Sequence, residues 1–384
     1  MRTTLTAAAC AALLGACAAV PPAGHLDAAR LADIDQAIVQ VIAEHRMPGA
    51  VFHLEHAGAR VEKAYGRQSY LPDAPADSTA TVFDIALLTK VVATAPSVLL
   101  LAEQGRIDLD ATLVSYFPEC AGGGKDAITI RHLLTHTSGL PAGLPALPDW
   151  HGDAAAHALA CARVATHTPG TFFRYSDINY ILLGQLVQRV SGMSLAQFAQ
   201  QHIFTPLGMR DTGYLPLTRH RLSNIAPTRQ LDPGLLQGVV HDPTARRMDG
   251  VAGSAGVFST VADLARYARM LLGGGTLDGV RVLSPASVAL LTTDQSPPGV
   301  AAHRAMGMDI DSAFARPRGT VFPIGSYGHT GFTGCVLWID PRSQTFYVFL
   351  SNRVFPDDKS DILPLYGQLG TLSALAAAVA PVVK

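Results

Sequence analysis

The chain has 384 residues, of which 48% are hydrophobic and 15% are charged, and its formal net charge is -1. This composition is typical of a globular domain that can bury a large core. Because there is no basic excess, we expect no nucleic-acid partner.

The N-terminus has the features of an export signal. Arg2 gives a positive start, residues 5–14 are mostly small and apolar, and Leu14-Gly15-Ala16-Cys17 resembles a lipobox, whose cysteine is lipidated and becomes the mature N-terminus. The apolar run is too short to span a membrane. An ordinary secretory signal with an incidental cysteine is the alternative.

These features predict how the chain is divided. We expect a lipoprotein signal over 1–17, a tether over 18–25 and one domain over 26–384. A lipid on Cys17 would anchor that domain to a membrane of the cell envelope, where it would face the periplasm or the exterior.

Cysteines are few beyond that point. Only Cys120, Cys161 and Cys335 remain, so at most one disulfide can form and a four-cysteine metal site is excluded. We expect three unpaired and mostly buried thiols. The sequence implies no metal and no cofactor, and it leaves the oligomeric state open.

Apolar spacing predicts the elements at the two ends of the chain. A first helix has its apolar face between Leu31 and Ile42, and two short runs, 50–55 and 60–65, predict an antiparallel hairpin. Near the C-terminus, runs 335–339 and 345–351 predict a second hairpin, and a closing helix follows over 361–383.

This order of elements predicts an α/β fold of the α+β type. Strands near both ends of the chain, with helices between them, indicate an antiparallel sheet flanked by terminal helices. A mostly helical lobe would be inserted roughly over residues 86–272.

The first chemical motif is Phe83-Asp84-Ile85-Ala86-Leu87-Leu88-Thr89-Lys90, which continues into an apolar run over 91–101. The pattern predicts the end of a strand followed by a helix. A lysine in the first turn of a buried helix is costly unless it is paired. Lys90 therefore reaches a polar cleft or takes part in chemistry there.

Two further motifs follow in order. Tyr175-Ser176-Asp177 precedes an apolar helix that Asp177 could cap, and Tyr327-Gly328-His329-Thr330-Gly331-Phe332 comes near the end of the chain. Between them, a glycine-rich stretch around Ser254 leads into another helix.

Together the three motifs resemble those of the serine β-lactamase-like family, which includes class C β-lactamases, D-alanyl-D-alanine peptidases and β-lactamase-like esterases. In that family the first motif reads roughly Phe-Asp-x-Ala-Ser-x-Thr-Lys, the second Tyr-x-Asn or Tyr-x-Asp, and the third Lys-Thr-Gly or His-Thr-Gly. The resemblance covers the chain from about Leu26 onward. It implies a β-lactamase/penicillin-binding-protein-like fold and a small-molecule or peptide acyl substrate.

The resemblance also implies a role for each motif residue. Lys90 and Tyr175 would transfer protons, Asp177 would orient the substrate, and His329 with Thr330 would hold a carboxylate or polarise the site. Gly331 would let the substrate backbone approach closely, and Ser254 would lie at the edge of the cleft. The backbone N–H groups of Leu87 and Phe332 would form the oxyanion hole. Because histidine titrates near neutrality, we expect anion recognition at His329 to be weak or pH-dependent.

Leu87 stands where the family has its nucleophilic serine. A leucine side chain has no lone pair, so acyl transfer by the family route is expected to be strongly impaired. Three explanations remain open. Another hydroxyl replaces the serine, with Thr89, Ser176 and Ser254 as candidates; the protein is a pseudoenzyme that binds peptidoglycan peptides or another acyl ligand; or the chain is a variant of an active hydrolase.

His132 and His136 have a spacing that would also suit a zinc site on one helix face. The sequence offers no third ligand nearby, and Ser138-Gly139 ends the helix at once. We therefore predict that both histidines are structural.

Overall fold

The computed structural model of the protein describes residues 24–379, so the predicted signal and Cys17 lie outside the described residues. Its strands are β1 (Gly49–His56), β2 (Ala59–Gly66), β3 (Phe83–Asp84), β4 (Gly213–Tyr214), β5 (Arg229–Gln230), β6 (Leu235–Leu236), β7 (Val257–Ser259), β8 (Thr276–Leu277), β9 (Val280–Arg281), β10 (His303–Arg304), β11 (Asp309–Asp311), β12 (Tyr327–Gly331), β13 (Cys335–Asp340) and β14 (Thr345–Ser351). Its α-helices are α1 (Ala28–Ala43), α2 (Ala95–Glu103), α3 (Leu113–Tyr116), α4 (Ile130–Leu134), α5 (Asp153–Cys161), α6 (Asp177–Ser191), α7 (Leu195–Ala199), α8 (Pro243–Arg247), α9 (Val261–Leu272), α10 (Pro285–Thr292) and α11 (Leu363–Ala376).

The main sheet joins the two ends of the chain. Its seven strands lie in the order β10-β11-β12-β13-β14-β1-β2, and every neighbouring pair is antiparallel. The N-terminal hairpin joins the C-terminal strands through β1 and β14, where His53 lies opposite Val348. Both predicted hairpins are present, and β1, β13 and β14 are buried along nearly their whole length.

The first and last helices cover one face of this sheet. Ile34 and Ile38 of α1 and Leu369 of α11 pack with Phe52 and Trp338 in one buried cluster. Helical spacing of the apolar residues puts them on a single stripe, so each terminal helix is fixed by the sheet that it shields.

The other face carries the larger core, which is built around the apolar segment Ala86–Glu103. By length and composition this segment could cross a membrane, since its mean hydropathy is 1.5. However, 78% of it is buried inside the protein, where α6 and α9 pack around it. Burial on all sides explains why it lacks a polar face.

The expectation of three unpaired thiols is wrong. Cys120, which ends a short 3-10 turn, forms a disulfide with Cys161 at the end of α5, and their Cα atoms are 4.4 Å apart. The two residues are separated by 41 positions, and the sequence pattern does not show that the helical region brings them together. Cys335 is free and buried, as expected.

A second, three-stranded sheet in the order β3-β7-β4 positions the first motif. Phe83 pairs with Ser259, and Asp84 pairs with Phe258. The chain then leaves β3 through a 3-10 turn over Ala86–Leu88 and enters the buried helical segment at Lys90. Leu87 and Lys90 are thereby held at the border between the main sheet and the helical region.

Candidate active site

Leu87 lies in a tight turn that Asp84 fixes. Ala86 has a φ of 47°, in the left-handed region that most residues avoid, and its N–H donates to Asp84 Oδ1 over 2.8 Å. The other oxygen, Oδ2, accepts from the N–H of His241 over 2.6 Å. Burial raises the pKa of Asp84 to about 6. One carboxylate thus ties the Leu87 turn to the segment around residue 241.

Lys90 is fully buried and forms an ion pair with the second motif. Its Nζ lies 2.6 Å from Asp177 Oδ1 and donates to the carbonyl of Ser254 over 3.1 Å. Burial lowers the pKa of Lys90, and the Asp177 carboxylate partly offsets this effect. The prediction that Asp177 caps α6 is wrong, because Ser176 occupies the N-cap position. The Asp177 side chain pairs with Lys90 instead.

Tyr175 and His329 form a hydrogen-bonded couple beside this lysine. Lys90 Nζ lies 5.0 Å from the centre of the Tyr175 ring, and the Tyr175 hydroxyl lies 3.3 Å from His329 Nε2. His329 Nδ1 faces the carbonyl of Thr330 at 2.8 Å, which requires a proton on Nδ1. Nε2 of the neutral ring therefore accepts from the Tyr175 hydroxyl, whose pKa is raised well above its usual range by burial.

The expectation that His329 titrates near neutrality is wrong. Only 4% of the residue is exposed, and burial together with the charges of Arg304 and Lys90 lowers its pKa well below the usual range. Because both ring nitrogens already have partners, neutral His329 positions Tyr175 and offers no cation to a ligand.

The third motif lies directly against the Leu87 turn. A Cβ atom on Gly331 would lie 2.4 Å from the carbonyl oxygen of Ile85, so only glycine allows this close approach. Within residues 24–379, the N–H groups of Leu87 and Phe332 have no hydrogen-bond acceptor. Both remain available as the predicted oxyanion donors.

A cavity of about 510 Å³ opens at this junction. Its volume is suited to a small ligand, and its walls are mostly apolar. Half-buried Leu87 forms part of the lining together with Tyr175, His329, Thr330, Gly331 and Phe332. Lys90, which is fully buried, and its partner Asp177 are not among the lining residues.

None of the three hydroxyls considered as substitutes for serine reaches the cavity. Thr89 is fully buried and its Oγ1 accepts from the N–H of Val257, while buried Ser176 donates to the carbonyl of Pro141. Ser254 is 2% exposed and meets Lys90 through its carbonyl, so its predicted place at the cleft edge is not observed. Position 87 therefore has no evident replacement among these residues.

The two histidines of the zinc alternative have structural partners. His132 Nδ1 accepts from the N–H of Thr129 in a capping box. His136 is fully buried, accepts at Nδ1 from the N–H of Ser176 over 3.2 Å, and lies 4.4 Å from the Tyr175 ring between centroids. His136 therefore packs against the Tyr175 ring and helps to hold it in place.

Sequence reasoning missed one wall of the cavity. Phe314, Arg353 and residues 358–363 line it, together with buried Asp309. Arg353 comes just after β14, Asp309 begins β11 and Leu363 begins α11, while the remaining residues lie in loops without periodicity. The only available signal was the general tendency of binding residues to lie on loops after strands.

Comparison with known proteins decides the family. The Beta-lactamase family model matches residues 34–369, which is most of the chain. The chain belongs to the β-lactamase family. A relative from Escherichia coli (strain K12), named "Putative D-alanyl-D-alanine carboxypeptidase", is 30% identical over 311 residues, which cover 72% of this chain and 70% of the relative.

Solved structures of similar proteins confirm the predicted fold class. A penicillin-binding protein homolog from Caulobacter crescentus is 22% identical, with a TM-score of 0.71, and the match covers 92% of this chain and 99% of the homolog. A family VIII carboxylesterase is 21% identical, with a TM-score of 0.70, and the match covers 91% and 98%. The chain is thus similar in fold to proteins named for different acyl substrates.

Proposed function

We propose that this protein is an acyl hydrolase of the β-lactamase family whose nucleophile position is vacant, so that acyl transfer by the family route is strongly impaired. A lipid on Cys17 would hold it at the cell envelope. The observation that carries the proposal is that the Lys90–Asp177 ion pair lies beside Tyr175 and His329, which line the same cavity as Leu87. The proton-handling groups are in place, and the hydroxyl that they would serve is missing.

The physical basis is the chemistry of position 87. Removing the nucleophile of a covalent hydrolase costs on the order of a million-fold in rate, because only binding and the oxyanion hole then act on the substrate. The N–H groups of Leu87 and Phe332 do not depend on side-chain identity, so a leucine leaves both donors in place.

The substrate of the reactivated site would be an amide or an ester. A D-alanyl peptide is supported by the name of the relative from E. coli, and a carboxylic ester by the carboxylesterase of similar fold. A β-lactam is supported by the family itself.

A second candidate is a pseudoenzyme that binds peptidoglycan peptides or another acyl ligand. The apolar cavity of about 510 Å³ supports it, since Leu87 adds to that surface and the volume suits a small ligand. This function predicts saturable binding with no covalent adduct and no turnover.

The deciding experiment compares hydrolysis of nitrophenyl acetate and nitrocefin by the purified chain and by Leu87→Ser. We expect turnover only with Leu87→Ser. Leu87→Ala is the matched control, because it opens the same space without supplying a nucleophile.

Two outcomes would count against the hydrolase proposal. Equal turnover by Leu87→Ala and Leu87→Ser would show that space and not the hydroxyl limits the reaction. No turnover by any variant, together with saturable ligand binding, would favour the pseudoenzyme.

A further inference from the structure

Two cysteines and a histidine form a cluster of metal-ligand side chains away from the Leu87 cavity. Cys120 ends a short 3-10 turn, while His157 and Cys161 lie four positions apart on one face of α5. One ligand atom of each residue lies within 4.8 Å of the others, and Cys161 Sγ is 3.5 Å from His157 Nε2. None of the three residues lines the cavity, so the cluster is independent of the proposed function.

Gln185 determines which nitrogen of His157 can bind a metal ion. The side-chain amide nitrogen of Gln185 donates to the backbone carbonyl and to Oδ1 of Asp153, over 3.2 and 3.0 Å. Its Oε1 therefore faces His157 Nδ1, at 2.8 Å. Because a carbonyl oxygen can only accept, Nδ1 carries a proton and donates it. Nε2 then has the lone pair of the neutral ring, and metal-binding histidines are normally held by such a hydrogen bond from the other nitrogen.

The Nε2 atom faces a carboxylate, which is also an acceptor. Glu119 Oε1 lies 2.9 Å from His157 Nε2 and accepts from Arg189 Nη2 over 2.5 Å. Two acceptor atoms at the distance between Nε2 and Oε1 require a cation between them. A proton occupies this place in the disulfide form, and a metal ion can replace it when the sulfurs are free as thiolates.

We propose that Cys120, Cys161, His157 and Glu119 form a zinc site when the Cys120–Cys161 disulfide is reduced. A dithiol supplies the two electrons and two protons that break the sulfur–sulfur bond, and it leaves as its own disulfide. Zn²⁺ then binds both sulfurs, Nε2 and Oε1. The two thiol protons and the proton between Nε2 and Oε1 are released to solvent.

The distances and charges of the cluster suit Zn²⁺. Atoms bound to one tetrahedral zinc ion at about 2.0–2.3 Å are roughly 3.3–3.8 Å apart. The 3.5 Å between Cys161 Sγ and His157 Nε2 lies in this range, and the two sulfurs reach it by separating on reduction. Two thiolates and the Glu119 carboxylate carry three negative charges, which Zn²⁺ and Arg189 balance.

The cluster is open to solvent on the side of Glu119. The side chain of Glu119 is 43% exposed and that of His157 is 18% exposed, whereas Cys120 is fully buried. Zn²⁺ can enter from this side. Half-buried Cys161 is the more accessible sulfur for attack by the dithiol, and Cys120 is then the leaving thiol.

Metal titration of the purified chain tests the site before and after reduction with dithiothreitol, which is removed by gel filtration under argon. Co²⁺ is the spectroscopic probe, because thiolate ligands give it a charge-transfer band in the near ultraviolet, and Zn²⁺ is titrated calorimetrically. We expect the reduced chain to bind one Zn²⁺ and the disulfide form to show neither the band nor comparable affinity. His157→Ala should weaken zinc binding more than tenfold, since losing even a partner of a ligand costs roughly 10–100-fold.

Cys335→Ser is the matched control, because Cys335 is a buried cysteine outside the cluster. It should leave the stoichiometry and the affinity unchanged, and circular dichroism should show a folded reduced chain with zinc bound. Weaker binding by Cys335→Ser would overturn the proposal, because zinc would then be held by the cysteines of an unfolded chain. Full affinity in His157→Ala, equal binding by the disulfide form, or no binding by the reduced chain would also overturn it.

Discussion

Lys90 Nζ and Asp177 Oδ1 are 2.6 Å apart, and this ion pair joins the start of the buried helical segment to the start of α6. The Lys90 side chain is fully buried, whereas that of Asp177 is 33% exposed. A buried ammonium group without a counter-ion is strongly unfavourable, so the pair holds two elements together at the site.

Asp177→Ala should therefore destabilise the protein. We expect a loss of roughly 2–3 kcal/mol in the free energy of unfolding at pH 7, which is below the value for a fully buried pair because Asp177 is partly exposed. Asp177→Asn should cost nearly as much, since its amide oxygen still accepts from the ammonium group but the counter-charge is lost. Urea denaturation measures both, and a negligible loss with Asp177→Asn would show that the ion pair is not the reason.

The pH dependence of the reactivated enzyme follows from Lys90. Burial lowers the pKa of this lysine, so the neutral amine becomes available at a pH below its usual value of 10.5. In Leu87→Ser, kcat/KM should rise with pH and level off before that value. Lys90→Arg in the same background should abolish turnover, because arginine stays protonated. A rate that does not change with pH would exclude Lys90 as the base.

The sequence predicted the elements whose signal is local. The two hairpins follow from short apolar runs with turn residues, and the first helix follows from an apolar stripe that includes Ile34 and Ile38. The motif residues Lys90, Tyr175 and His329 are close together in space, and their roles remain predictions.

Properties that depend on tertiary surroundings could not be predicted. The charge state of His329 depends on burial and on Arg304, which lies 25 positions earlier in the chain. The Cys120–Cys161 bond depends on how the helical region folds. From the sequence, Arg353 cannot be distinguished from an ordinary surface arginine, because its position in the cavity lining depends on the folded structure.

A buried carboxylate, Asp77, should make the stability of the protein pH-dependent. Neither of its oxygens has a hydrogen-bond partner among the described residues, and burial raises its pKa to about 7. The folded state therefore binds more protons than the unfolded state between about pH 4 and 7, so stability falls as pH rises through this range.

Asp77→Asn removes that charge. The variant should be roughly 1–2 kcal/mol more stable than the parent at pH 8, and the gain should disappear near pH 4. Thermal denaturation over this pH range measures it. Asp73→Asn, at an exposed position of the same loop, is the control and should show no such trend. A gain at pH 4 equal to that at pH 8 would contradict the explanation.

The disulfide should contribute to stability through the unfolded state. Closing a loop of 41 residues gives about 4 kcal/mol in the chain-entropy estimate, and Cys161→Ser should cost roughly 2–4 kcal/mol under oxidising conditions. Peptide mapping without reductant should recover Cys120 linked to Cys161. Buried Cys335, whose pKa is raised to about 12, should be alkylated only after unfolding. Alkylation of Cys120 in the folded protein would contradict the pairing.

Asp84 should act on the site without touching a ligand. Its two oxygens accept from the N–H groups of Ala86 and His241, so an asparagine would place its amide N–H₂ against one of these donors. We expect Asp84→Asn to cost roughly 1–3 kcal/mol of stability.

In the Leu87→Ser background, Asp84→Asn should also lower kcat more than it raises KM, because the turn that carries position 87 is displaced. Steady-state kinetics with nitrophenyl acetate, at a temperature where both proteins are folded, measures this split. A loss confined to stability would show that the Leu87 turn keeps its position without Asp84.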